Sequence, residues 1–187
     1  MGFLRATLMV LLMVSVSACA KSVWDSDEKV TKASYSQPSG PRTLTLVTVI
    51  NNDRGEGGHS ALVVNAHERV VFDPAGNFKH EKAPERNDVV FGMTPGMLNA
   101  YYRFHARTEW HVVMQTIEVS PEVAAIAYRK ISEYGAVPSA YCANSVSAIL
   151  GEIPGFESIR TTFYPKKLMQ EFAGIPNVET DKFYEYD

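Results

Sequence analysis

The stretch at residues 58–65, Gly58-His59-Ser60-Ala61-Leu62-Val63-Val64-Asn65, decides the fold together with residues 69–73, Arg69-Val70-Val71-Phe72-Asp73. Both runs are apolar and β-branched and are bounded by turn-forming residues, which predicts two strands. Ala66-His67-Glu68 between them form a short turn. If Asn65 and Arg69 close it as a three-residue turn, Ala61 faces Asp73. Side chains alternate across a strand, so His59, Ala61, Val63 and Asn65 share one face. Asp73 then lies on that same face, diagonal to His59, and polar side chains bridge such diagonal neighbours. A two-residue turn would move Asp73 to the opposite face.

Outward from this hairpin, residues 43–50 (TLTLVTVI) predict a preceding strand and residues 51–58 a loop. Residues 88–93 predict a short strand after an irregular charged segment. Residues 95–107 carry Leu98, Tyr101, Tyr102 and His105 at helical spacing behind Pro95, and Tyr101, Tyr102 and Phe104 read as core. Residues 109–119 alternate as a strand. Ser120-Pro121-Glu122 is a helix start, and Gly135 closes that helix after Tyr134. Residues 140–150 and 165–173 predict two more helices, each followed by glycine. Strands followed by helices without strict alternation predict an α+β fold, an antiparallel sheet packed against helices.

The whole chain has 187 residues, 45% of them apolar, with a formal net charge of −3 and a pI near 6.0. That excludes a disordered or coiled-coil chain and the basic footprint of a nucleic-acid binder. Residues 1–18 read as a secretory signal peptide, too short to span a bilayer, which takes about 20 apolar residues. Val16-Ser17-Ala18 immediately precede Cys19, which resembles the lipobox of bacterial lipoproteins. The resemblance implies lipidation of Cys19 and a membrane anchor. Ala20 and Lys21 follow, without the Asp associated with inner-membrane retention, so the expected address is the periplasmic face of the outer membrane. Residues 19–41 are polar and read as a flexible tether, leaving one domain over residues 42–187, expected as a monomer.

With Cys19 lipidated, Cys142 is the one remaining thiol. Ser139 as N-cap puts Cys142 at the third helical position, where the helix dipole and free N–H groups favour a thiolate. Cys142, Val146, Ile149 and Leu150 share one helix face. A thiol at a helix start, an imidazole on a strand and a carboxylate beside it are the three parts of thiol nucleophile chemistry. Cys142 is the expected nucleophile, His59 the general base and Asp73 the orienter. The Cys142 N–H is a natural oxyanion donor, and Tyr141 either lines the pocket or assists that donor. His67 and His80 are expected in solvent, and His105 and His111 on the surface of their elements. No motif with metal-ligand spacing occurs, so neither metal nor cofactor is expected. Residues 55–58 are not a phosphate loop, because no Lys-Ser/Thr follows.

Gly58-His59-Ser60-Ala61-Leu62-Val63-Val64, then Phe72-Asp73-Pro74-Ala75-Gly76, then Tyr141-Cys142-Ala143-Asn144-Ser145-Val146, resembles the permuted branch of the NlpC/P60 papain-like superfamily. In that branch the His strand precedes the Cys helix. It includes bacterial lipoproteins and the lecithin:retinol acyltransferase-like proteins. The resemblance implies a papain-like fold and a metal-free thiol hydrolase or acyltransferase acting on amides or esters. Relatives carry His, Asn, Gln or Glu at the third position, where Asp73 stands by its place in the hairpin. The expected activity is cleavage of an amide bond in a peptide of the cell envelope, such as a peptidoglycan stem peptide. The alternatives are acyl transfer or ester hydrolysis on lipid, and a non-catalytic binding module.

Overall fold

The centre of the fold is a pair of strands buried on both faces, β1 (Thr43–Asn51) and β2 (Gly57–Asn65). The structure is a computed structural model and describes residues 22–37 and 39–186. Among these, β1 and β2 are joined by β3 (Arg69–Phe72), β4 (Glu85–Arg86), β5 (Val89–Val90), β6 (Trp110–Glu118) and β7 (Glu179–Tyr184). The seven strands form one antiparallel sheet in the order β4-β5-β3-β2-β1-β6-β7. Five helices complete the described chain: α1 (Asp27–Ala33), α2 (Pro95–His105), α3 (Pro121–Tyr134), α4 (Cys142–Leu150) and α5 (Pro165–Ala173). The α+β class is as expected.

Strand alternation sorts the core into two layers. Leu44, Leu46, Leu62, Val64, Val70 and Phe72 point to one face, where Ile131 of α3, Val146 and Leu150 of α4 and Leu168 and Phe172 of α5 cover them. Val47, Ala61, Val63, Val71 and Val112 point to the other face, under Tyr101 of α2. Each fully buried large aliphatic or aromatic side chain contributes about 1.5–3 kcal/mol. α2 and α3 begin as the sequence predicts, with Thr94 and Ser120 accepting from the N–H of Met97 and Val123 and a proline in the first turn.

Two expectations are corrected. The segment expected as a tether is docked along residues 22–37. Tyr35 O accepts from Arg69 N at 2.8 Å, Val23 O accepts from Asn87 N at 2.9 Å, and Ser34 Oγ donates to Glu68 at 2.7 Å. The Arg86 guanidinium lies 4.8 Å from the Trp24 ring centre. Polar composition excludes an apolar core of its own, but not backbone pairing with an existing sheet edge. The second correction concerns the start of α4. Its N-cap is Tyr141, and Ser139 lies in the preceding turn, where Ala140 takes a left-handed φ of 69°. Cys142 is therefore the first helical residue instead of the third. The expected signal peptide and Cys19 lie outside the described residues, and no described helix is long and apolar enough to cross a membrane.

Candidate active site

The β2–β3 register is the one a three-residue turn requires, with Asn65 opposite Arg69 and Leu62 opposite Phe72. Pairing ends there. Asp73 continues from β3 on the His59 side of the sheet, and His59 Nε2 lies 2.7 Å from Asp73 Oδ1. β3 leaves β2 after Phe72, which opens the flank of β2 near its start. The first residue of α4 fills that flank. Cys142 is hydrogen-bonded to the His59 side chain and receives the backbone N–H groups of Ser60 and Ala143. Nε2 of His59 is committed to Asp73, so Nδ1 is the nitrogen left to face the sulfur. The structure thus brings together Cys142, His59 and Asp73 from a helix start, a strand and the end of a neighbouring strand.

The carboxylate is held from several sides. The Tyr101 phenol donates to Asp73 Oδ1 at 2.7 Å from the buried face of α2. Asp73 O accepts from Gly76 N at 2.9 Å in the turn that follows. A Cβ on Gly76 would overlap the Asp73 carboxylate, so the turn needs glycine for space. Ala75 also takes a left-handed φ of 57°, which adds local backbone strain beside Asp73, as Ala140 does beside Cys142.

Electrostatics follow from this geometry. Burial disfavours a charge on His59, but the hydrogen bonds and charges of Asp73 and Cys142 outweigh it and raise the imidazole from 6.5 to about 10. Burial likewise opposes the Cys142 thiolate. The His59 hydrogen bond, its charge and the two backbone N–H groups prevail, and the thiol is held below its ordinary value. Asp73 is held low against its burial by His59, by His105 and by the Tyr101 hydroxyl. Tyr101 itself stays a neutral phenol, its ionisation pushed up by burial and by Asp73. The resulting arrangement is a thiol and an imidazole joined by a hydrogen bond and backed by a carboxylate, and the pair titrates as one unit.

The remaining candidates fall at different places. Cys142 is buried, 8% exposed. Tyr141, next to Cys142 in the chain, is 42% exposed and edge-on to Phe163 at 5.1 Å; Phe163 and Tyr164 are exposed as well. An open cleft of about 320 Å³ lies against His59, bounded by Gly58, Phe104, His105 and Trp110. A larger cavity, about 550 Å³ beside Lys29 and Met97, includes none of Cys142, His59 and Asp73.

His67 and His80 are exposed, as expected. His111 is buried, and His105 is half-buried against His59. The His105 ring stacks on His59 at 5.3 Å, and burial lowers its pKa to about 4. His111 is packed against Tyr184, with Nδ1 2.7 Å from Asn52 Oδ1. Sequence reasoning assigned Tyr101 to packing and missed its hydrogen bond to Asp73. The signal was present in the i, i+4 spacing of Tyr101 and His105, which puts both on the α2 face that meets the His59 side of the sheet. Ligand atoms of His59, Asp73 and His105 all lie within 4.8 Å of one another, close enough to hold a metal ion. Comparison of the chain with protein-family models, with curated proteins and with solved structures finds no match.

Proposed function

We propose that this protein is a membrane-anchored thiol hydrolase of the permuted papain-like type, cleaving an amide bond in a peptide of the bacterial cell envelope. The observation that carries the reading is His59, held at Nε2 by Asp73 and hydrogen-bonded to Cys142. The order of a His strand before a Cys helix, on an antiparallel sheet, supports the family resemblance. Anchoring through Cys19 rests on the lipobox-like residues 16–19.

The reaction needs only groups of this chain and water. The Cys142 thiolate attacks the carbonyl carbon, and the new oxyanion meets the Cys142 N–H at the start of α4. The His59 imidazolium gives its proton to the leaving amine, and a thioester remains on Cys142. His59, now neutral, takes a proton from water, whose oxygen attacks the thioester and releases the acid. Asp73 fixes the tautomer throughout. The exposed aromatic rings of Tyr141, Phe163 and Tyr164 favour a second reading, in which the same thiol acts on an acyl lipid.

The test is the pH dependence of Cys142 alkylation in the chain from Ala20 onward, beside His59→Ala. A thiol pKa well below the free value of about 8.5, lost in the variant, is the expected result. A thiol that titrates alike with and without His59 overturns the reading. Muropeptides and acyl lipids, offered in parallel, separate the two substrate classes.

A further inference from the structure

We infer that His59, Asp73 and His105 form a binding site for one zinc-class divalent cation, which displaces the Asp73–His59 hydrogen bond when it binds. This goes beyond the hydrolase reading by naming a ligand for the same residues. Its consequence for catalysis rests on that reading.

Four observations converge. One ligand atom from each of the three side chains lies within 4.8 Å of the other two. His105 Nε2 is buried and has no hydrogen-bond partner, although a buried ring nitrogen ordinarily finds one. Its ring is stacked on that of His59, with centroids 5.3 Å apart, which holds the two imidazoles next to each other. Asp73 already receives the Tyr101 hydroxyl, the kind of outer hydrogen bond that orients a ligating carboxylate.

Two imidazoles and one carboxylate suit zinc and its transition-metal neighbours better than calcium or magnesium, which prefer all-oxygen shells. Ligands about 2.0–2.2 Å from a tetrahedral zinc stand about 3.3–3.5 Å apart. The 2.7 Å His59–Asp73 pair must therefore open slightly, and the widest separation must close by about 1.4 Å. His105 is the last residue of α2, where a side-chain rotation leaves the helix intact. Water completes the fourth position.

Zinc on His59 Nε2 releases the proton of that nitrogen to solvent and leaves Nδ1 as an N–H. An imidazole so bound has no lone pair with which to take a proton from water. Asp73, ligating the metal, no longer orients it. The cation is thus an off-switch for the proposed proton transfers.

The experiment uses Co²⁺ as a spectroscopic stand-in for zinc, added to the metal-free chain and to two variants. The unsubstituted chain and Cys142→Ala are expected to bind one Co²⁺, with the visible bands of four-coordinate cobalt and no thiolate-to-cobalt charge-transfer band. Zn²⁺ should displace it. His105→Ala and the bulkier His105→Gln, each checked for cooperative thermal unfolding, should lose at least tenfold in affinity. Unchanged affinity in folded His105 variants overturns the proposal. So does a charge-transfer band that disappears in Cys142→Ala, because the cation then sits on the sulfur. An ordinary thiol pKa with intact cobalt binding sinks the hydrolase reading and leaves the metal site. A depressed thiol pKa without cobalt binding does the reverse.

Discussion

Asp73→Asn isolates the carboxylate from the shape it occupies. The Asn oxygen can stand where Asp73 Oδ1 now accepts from both the Tyr101 hydroxyl and His59 Nε2, each at 2.7 Å. Both hydrogen bonds and the His59 tautomer are then kept, and only the negative charge behind the imidazole is lost. The magnitude follows from the imidazole. Its rise from 6.5 to about 10 amounts to roughly 5 kcal/mol in favour of the cation, at 1.36 kcal/mol per pKa unit. Asp73 and Cys142 share that sum. A charge-assisted hydrogen bond accounts for about 2–3 kcal/mol of it. Making that bond neutral weakens the imidazolium, so the imidazole pKa falls and the thiol pKa rises with it.

Thiolate absorbance in the ultraviolet, followed against pH alongside alkylation rate, measures the shift directly. Thermal unfolding serves as the control for fold. A domain of this size loses about 2–4 °C per kcal/mol, so a cooperative transition within about 10 °C of the parent keeps the comparison valid. A thiol pKa that moves by less than about half a unit in such a folded variant would refute the argument, because Asp73 would then be structural.

Tyr101→Phe removes one buried hydrogen bond to a charge and should lower stability by about 1.5–3 kcal/mol in urea unfolding. Asp73 is held below its ordinary 3.8, so its contribution to stability is present above that value and lost as pH falls through the folded pKa. Losing the phenol raises that folded pKa, and the acid-unfolding midpoint should move to higher pH; an unchanged midpoint counts against the coupling. Gly76→Ala forces a Cβ into the Asp73 carboxylate and should destabilise by about 1–3 kcal/mol while raising the thiol pKa. A thiol pKa unmoved in that variant would show that the turn does not position Asp73. Glu68→Ala removes the acceptor of both Ser34 Oγ and the Tyr128 hydroxyl, and limited proteolysis should then cut first within residues 22–37. Resistance equal to the parent would mean that the remaining backbone bonds suffice.

The hairpin was readable because two independent rules agree on it. Alternation sets the face of His59, and the length of the Ala66-His67-Glu68 turn sets the register that brings Asp73 to that face. The starts of α2, α3 and α5 were readable from proline in the first turn. β7 was not, because Glu179–Tyr184 is an exposed edge strand with only Phe183 packing inward, so no apolar period marks it. α1 was missed for a similar reason: it has no buried residues, and of its side chains only Val30 packs toward the core. Ser139 misled because a left-handed Ala140 breaks the run, and alanine carries no warning of that conformation in the way glycine does. The burial of His105 depends on how α2 docks, which helical spacing alone does not determine.

The placement of Cys142 has a consequence for the newly made chain. Its partners Ser60 and His59 lie far upstream, and no local contact can supply them. The sulfur meets them only once β1 and β2 have paired and α4 has settled on the sheet, a long-range closure that belongs late in folding. Until then Cys142 is an ordinary thiol, mostly protonated at neutral pH. The lowered thiol pKa is therefore a property of the finished fold, and a chain that stalls before α4 docks does not have it.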